Sequence, residues 1–389
     1  MQPPKHILPI IVLAQFCCTS LWFASNAIMQ DLALNFELGA EAVGNLTSAV
    51  QFGFISGTLL FAILTITDRF SPSRVFFVCA LLGAFCNAGL LWSGNTMASL
   101  FVFRYLTGFF LAGIYPVGMK IAADYFDKGL GASLGYLVGA LVLGTAFPHL
   151  LKTFGQALSW KNVVIVTSSL AVAGGSLLWA LVPNGPFRKR SQKLQWNAFF
   201  KVFKIPEFKT AAFGYFGHMW ELYAFWAFTP LLLTAFATAH SVTLAIPLWS
   251  FGIIGIGGVA CVIGGYLSKN YGTKKTARAA LLLSGCCCLL LPLIFWAGNT
   301  LLFLIFLVFW GMVVIADSPL FSTLVAQNAI PEIKGTALTI VNCIGFAITI
   351  VSIQSLNHFT QFSTSIWVYC LLLLGPLFGL YHLFSNKSG

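Results

Sequence analysis

The chain has 389 residues, of which 58% are hydrophobic and only 8% are charged, with a formal net charge of +11. A soluble domain carries roughly a quarter charged residues, so a water-soluble globule is excluded: too few polar side chains exist to cover its surface. The positive charge is scattered between apolar stretches, which makes it a topology signal and argues against nucleic-acid binding.

Runs of about 20 apolar residues, the length that crosses a bilayer as a helix, predict twelve spans in chain order. They cover 7–28, 44–67, 75–93, 98–122, 129–150, 160–183, 210–237, 245–267, 276–297, 300–325, 335–357 and 363–384. No small-residue cleavage site closes the first run, so it is expected to be a retained helix. Between spans two and three lies Asp68-Arg69-Phe70-Ser71-Pro72-Ser73-Arg74. Glycines recur at four-residue spacing in span five (Gly131, Gly135, Gly139) and crowd span eight (Gly252, Gly255, Gly257, Gly258, Gly264, Gly265), which predicts close helix packing in lipid. The hydrophilic segment 184–209 separates an N-terminal bundle, 1–183, from a C-terminal bundle, 210–389. Within it Trp196, Phe199, Phe200 and Phe203 fall at helical spacing among lysines. That pattern predicts a short basic amphipathic helix on the inner leaflet, touching membrane lipids.

The ten cysteines all fall inside spans, so no disulfide framework is implied. Cys286, Cys287 and Cys288 are consecutive and point about 100° apart on a helix. They cannot converge on one ion, and no metal or other cofactor is expected.

The second half repeats the first. Gly108 and Pro116 of span four match Gly311 and Pro319 of span ten at an offset of 203 residues (311 − 108, 319 − 116), and Asp68 matches Lys269 at 201 (269 − 68). Parallel halves in a membrane chain imply two bundles related by an axis along the membrane normal, with a solute site between them. Lys5, Arg69, Arg74, Lys128, the 184–209 segment, Lys269, Lys274, Lys275, Arg278, Lys334 and Lys387 fall on one side. Lys152 and Lys161 stand alone on the other, with Asp31, Glu37 and Glu41. The positive-inside rule then places both termini in the cytoplasm.

An ionisable group in hydrocarbon is costly and therefore a functional candidate. Away from span ends there are three: Arg104, Glu221 and Asp317. His218 precedes Glu221 by one helical turn on the same face. Together they either bind and release a proton or form a static pair orienting span seven. Asp317 either meets a cationic group of a substrate or caps a helix break next to Pro319. Arg104 is expected to reach Asp31, as a gate or as a structural ion pair. Lys120 is expected to snorkel to the inner interface. Asn26, Tyr115, Tyr223 and Ser318, with Trp22 and Trp226 as walls, supply the few polar anchors and aromatic surfaces of a small-molecule site.

These motifs make the chain resemble the major facilitator superfamily over nearly its whole length. Asp68, Arg69 and Arg74 match the acid and bases of the family's loop between helices two and three, although Leu64 and Ser71 stand where glycines are usual. Arg104-Tyr105-Leu106-Thr107-Gly108 matches its fourth-helix pattern. Tyr115-Pro116-Val117-Gly118-Met119-Lys120 and Gly217-His218-Met219-Trp220-Glu221 are similar to a bacterial permease subgroup of mostly unassigned substrate. The resemblance implies an all-α membrane fold of twelve transmembrane helices in two pseudo-symmetric six-helix bundles. It implies helices one, four, seven and ten around a central cavity. It also implies gating by an inter-helix clasp at Asp68 and Arg69. The helix-five drug-antiporter pattern is incomplete, since Ala140 replaces its proline, and the arginines of nitrate carriers and the sugar-porter motif after helix six are missing.

The expectation is a monomeric secondary transporter of the bacterial inner membrane, proton-coupled or coupled to another ion, working by alternating access and taking up a small metabolite. Drug efflux by proton antiport is the alternative. An ATP-driven pump is disfavoured because no Gly-x-x-x-x-Gly-Lys-Ser/Thr pattern is present. A channel would want a ring of ligands. An enzyme would want a third partner for His218 and Glu221.

Overall fold

A computed structural model of the chain describes residues 4–126, 130–154, 159–188 and 201–385. Lys128, Lys189, Arg190, Lys193, Trp196, Phe199, Phe200 and Lys387 lie outside the described residues. No strand occurs among the described residues. The chain forms two compact units, Met1–Lys193 and Leu194–Gly389, divided within the hydrophilic segment.

The first unit contains α1 (Ile7–Thr19), α2 (Ala42–Ile63), α3 (Pro72–Leu91), α4 (Met97–Tyr125), α5 (Leu130–Thr153) and α6 (Trp160–Leu181). The second contains α7 (Pro206–Ala239), α8 (Ile246–Tyr271), α9 (Thr273–Trp296), α10 (Thr300–Asn328), α11 (Lys334–Phe362) and α12 (Ile366–Ser385). Among the described residues, eleven helices are long and apolar enough to cross a membrane. The first predicted span is not one continuous helix. It stops at Thr19, turns through residues 20–23, and resumes as Ala24–Ala27 and Met29–Phe36. Thr19 and Ser20 donate their hydroxyls back to the Gln15 and Cys17 carbonyls, a competition with the backbone ladder that bends helices.

Prolines shape the other departures. Proline at a first helical position starts α3 at Pro72 and α7 at Pro206, where the missing N–H is not needed. Inside α10, Pro319 cannot bond the carbonyl four residues back. That carbonyl, Ile315 O, instead accepts from the Asp317 N–H and from the Cys261 thiol of α8 at 3.6 Å, and the helix breaks at Asp317. Pro116 accompanies the matching interruption of α4 at residues 112–114.

The duplication extends to atomic packing. A Cβ on Gly108 would collide with the Val50 carbonyl oxygen of α2, and one on Gly311 with the Ile253 carbonyl oxygen of α8. The partners keep the register of the glycines, 203 residues apart (253 − 50). Likewise a Cβ on Gly174 would crowd Ala14, and one on Gly375 would meet the carbonyl oxygen of Gly217, again with partners 203 apart (217 − 14). In lipid, where apolar burial between helices contributes little, such backbone-to-backbone approach is the main source of helix association.

Candidate functional site

The second unit brings His218, Glu221 and Asp317 together, but with different partners from those the spacing suggests. His218 Nδ1 lies 2.8 Å from Asp317 Oδ1, both side chains being 1% exposed. The break in α10 presents Asp317 to α7, because residue 317 is where the helix ends and restarts. His218 Nε2 and Asp317 Oδ2 are buried and have no hydrogen-bond partner. Tyr215 and Phe321 flank the imidazole, with ring centroids 6.1 and 6.3 Å away. The pairing of His218 with Glu221 is therefore corrected: His218 pairs with Asp317.

Glu221, one turn on, meets α9 and an earlier turn of α10 instead. Its Oε2 accepts from Ser284 Oγ at 2.8 Å, and its Oε1 accepts from Trp310 Nε1 at 2.6 Å and Cys288 Sγ at 3.4 Å. Three donors from α9 and α10 thus fill both carboxyl oxygens without a cation. Ser284 and Trp310 do not stand out in the sequence, and Cys288 does so only as one of three consecutive cysteines that cannot share an ion. An indole N–H within an almost wholly apolar span needs a partner, and that need was the available signal for Trp310. Tyr223 packs edge-on against Trp226 at 5.4 Å and at a tilt against Phe346 of α11 at 5.3 Å, forming an aromatic wall one to two turns further along α7.

In the first unit Arg104 is wholly buried in α4. Nη1 donates to the Leu21 carbonyl at 3.0 Å and to Asn87 Oδ1 at 3.2 Å, and Nη2 donates to the Trp22 carbonyl. Those two carbonyls belong to the break after α1, which leaves them without helical donors. A planar guanidinium can serve several acceptors at once. Asn87 continues the network to Thr167 and Ser168 of α6 at 3.2 and 3.0 Å. The expected Arg104–Asp31 pair is not formed. Asp31 is paired with Lys152 of α5 at 2.7 Å, because α5 runs alongside the resumed segment of the first span.

Asp68 accepts from Lys120 Nζ at 2.5 Å, and Lys120 also donates to Thr67 Oγ1 at 3.2 Å. Lys120 therefore reaches the loop between α2 and α3. The loop is set by Thr65, whose left-handed backbone (φ 50°) ends α2. Arg188 braces the same turn through the carbonyls of Thr67, Asp68 and Phe70 at 3.3, 3.3 and 2.8 Å. Arg69 and Arg74 are exposed and make no ion pair among the described residues. Asn26 donates to Thr47 Oγ1 at 2.8 Å. Tyr115 is half-buried at the restart of α4, as Ser318 is at the restart of α10. Among the described residues no group of three or more His, Cys, Asp or Glu side chains could hold a metal ion.

The Major Facilitator Superfamily profile matches residues 11–353. The chain is similar to the uncharacterized transporter YgaY of Escherichia coli O157:H7, 28% identical over 194 residues that make up 47% of each chain. It is also similar to the efflux pump FUBT of Fusarium oxysporum, 28% identical over 156 residues, 39% of this chain and 26% of that one. The chain thus spans about half the length, or less, of these curated relatives. In fold it is similar to the xylose transporter XylE of E. coli, with a TM-score of 0.78 and 12% identity over 98% of this chain and 97% of that one.

Proposed function

The chain belongs to the Major Facilitator Superfamily, a family of transporters rather than enzymes. We propose that it is a secondary active transporter moving a small solute by alternating access, with protons coupled at His218 and Asp317. One observation carries this reading: a histidine and a carboxyl, 2.8 Å apart and buried, keep Nε2 and Oδ2 free of other partners. A buried pair of this kind is costly as a mere structural tie. Its open atoms can take up and release a proton or meet a polar group of the solute. Glu221, with both oxygens already filled, acts in the same unit as a second ionisable group. Ser284, Cys288 and Trp310 surround the Glu221 carboxyl, His218 faces Asp317, and Cys261 bonds the Ile315 carbonyl two residues before it.

The solute moves inward in this reading, and both termini, with the basic loops, lie on the cytoplasmic side of a bacterial inner membrane. Similarity to the efflux pump FUBT favours outward movement by proton antiport as the second reading. Proteoliposomes distinguish the two. With a solute retrieved by a thermal-shift screen, an inward-directed proton gradient should drive accumulation for uptake and depletion for efflux. In either case Asp317→Asn should abolish gradient-driven movement while retaining counterflow exchange. If the variant still concentrates solute as the parent does, the pair is not the coupling site.

A further inference from the structure

A second group of buried polar atoms, in the first unit, is left idle by the coupling pair. Ser25 Oγ, Asn26 Oδ1, Gln51 Nε2, Thr145 Oγ1 and His149 Nε2 are buried and have no hydrogen-bond partner, and the five residues are each at most 6% exposed. Buried polar atoms are nearly always satisfied, so a set of five orphans requires an explanation.

The five sit on three elements that meet at the resumed segment Ala24–Ala27, which packs against both α2 and α5. Trp22 Nε1 donates to Gln51 Oε1 at 3.2 Å and Asn26 Nδ2 donates to Thr47 Oγ1. Residues 47 and 51 are one turn apart, so Asn26 Oδ1 and Gln51 Nε2 are left over along the same seam. On the other side, α5 is held in register twice. Thr19 lies against Gly144, and Asp31 is paired with Lys152. Those two points, 12 residues apart on the first span (31 − 19) and 8 on α5 (152 − 144), put Ser25 and Asn26 between them opposite the stretch of α5 that carries Thr145 and, one turn on, His149.

The fold does not need these groups. At the offset of 203 residues the second unit carries Phe228, Thr229 and Ile254 where the first has Ser25, Asn26 and Gln51. At the offset of 204 that relates Gly131 to Gly335, it carries Ile353 in place of His149. Thr145 keeps a threonine there, Thr349, and like Thr229 it bonds back to its own helix, so the second unit builds the same crossings without the Ser25, Gln51 and His149 groups and with no free amide at position 229. The nearby charges are already committed, Asp31 to Lys152 and Arg104 to backbone carbonyls. What remains is uncharged: hydroxyl donors, an amide donor, a carbonyl acceptor and an imidazole nitrogen.

We propose that Ser25, Asn26, Gln51, Thr145 and His149 form a binding site for an uncharged solute bearing several hydroxyl groups. Alternating donors and acceptors match hydroxyls, which both give and accept hydrogen bonds. A charged solute would find no countercharge here. The inference rests on the transporter reading but not on proton coupling.

The test is equilibrium binding to the purified full-length chain at one fixed pH, with no gradient, so that a failure of coupling leaves it unaffected. D-Mannitol, myo-inositol and D-glucose serve as neutral probes, and L-arginine, L-glutamate and tetraphenylphosphonium as charged ones. A neutral probe should raise the melting temperature, the shift growing with the logarithm of its concentration above Kd, and give a saturable calorimetric isotherm. Gln51→Ile and Asn26→Thr, which install the residues of the second unit, should each weaken that binding at least tenfold. Ser25→Ala, the smallest change, carries the same expectation should either fold poorly. The proposal is overturned if none of the neutral probes binds, if the charged probes bind more tightly, or if neutral binding is unchanged in all three variants.

Discussion

Arg104 reads as an ionisable gate in sequence and acts as a backbone clamp in structure. Its guanidinium serves the Leu21 and Trp22 carbonyls together with Asn87. The equivalent position of the second unit, Leu307, is a buried apolar residue. Arg104→Leu should therefore fit sterically yet cost about 1–3 kcal/mol for each carbonyl left unpaired, seen as a lower melting temperature in detergent. Arg104→Lys keeps the charge but loses the planar fork, and should recover only part of that loss. His218 has a counterpart too: residue 15 in the first unit is Gln15, also buried. His218→Gln should leave the melting temperature within a few degrees while abolishing gradient-driven transport, measured in proteoliposomes. The sequence named Arg104, His218, Glu221 and Asp317 because charge in an apolar span is conspicuous. It could not name their partners. Carbonyls freed by a helix break, an indole on a neighbouring helix and a cysteine thiol leave no charge pattern to read.

At the level of elements, twelve apolar runs gave helix positions to within a few residues, since a long hydrophobic stretch has few other solutions in lipid. The exceptions were local. The first span is broken where Thr19 and Ser20 bond backward, and α7 extends to 34 residues because Pro206 can begin a helix well before the apolar run does. The glycine seams yield a paired prediction. Gly108→Val and Gly311→Val push side chains into the Val50 and Ile253 carbonyls. Each should destabilise its unit by about 1–3 kcal/mol or more. Gly335 faces open space, so Gly335→Ala should stay within about 0.5 kcal/mol of the parent. Pro319→Ala tests the break in α10 directly. The restored N–H competes with Cys261 for the Ile315 carbonyl, draws Asp317 into a continuous helix and away from His218, and should lower gradient-driven transport more than it lowers stability.

For the whole molecule, the repeat shows that one frame was built twice and then given different chemistry. The first unit carries the clamp at Arg104, the Asp68–Lys120 contact and the uncharged polar group around Asn26; the second carries the carboxyls of Glu221 and Asp317. Charge asymmetry across the loops makes a further prediction about sidedness. In a variant whose ten native cysteines are replaced by serine or alanine, single cysteines introduced at Lys275 and Arg74 should react with a membrane-impermeant maleimide only after cells are opened, whereas one at Glu41 should react in intact cells. The opposite pattern would invert the topology.

The stapled break after α1 also has a signature in hydrogen exchange. An interrupted helix is ordinarily a soft spot, where amides open without waiting for the domain to unfold. Here the joint is gripped by Arg104 from α4, by the Trp22–Gln51 contact from α2 and, one segment on, by the Asp31–Lys152 pair from α5. The amides of Leu21 and Trp22 should therefore exchange as slowly as those in the middle of α6. Removing Arg104 should accelerate them selectively, turning a rigid elbow into a hinge.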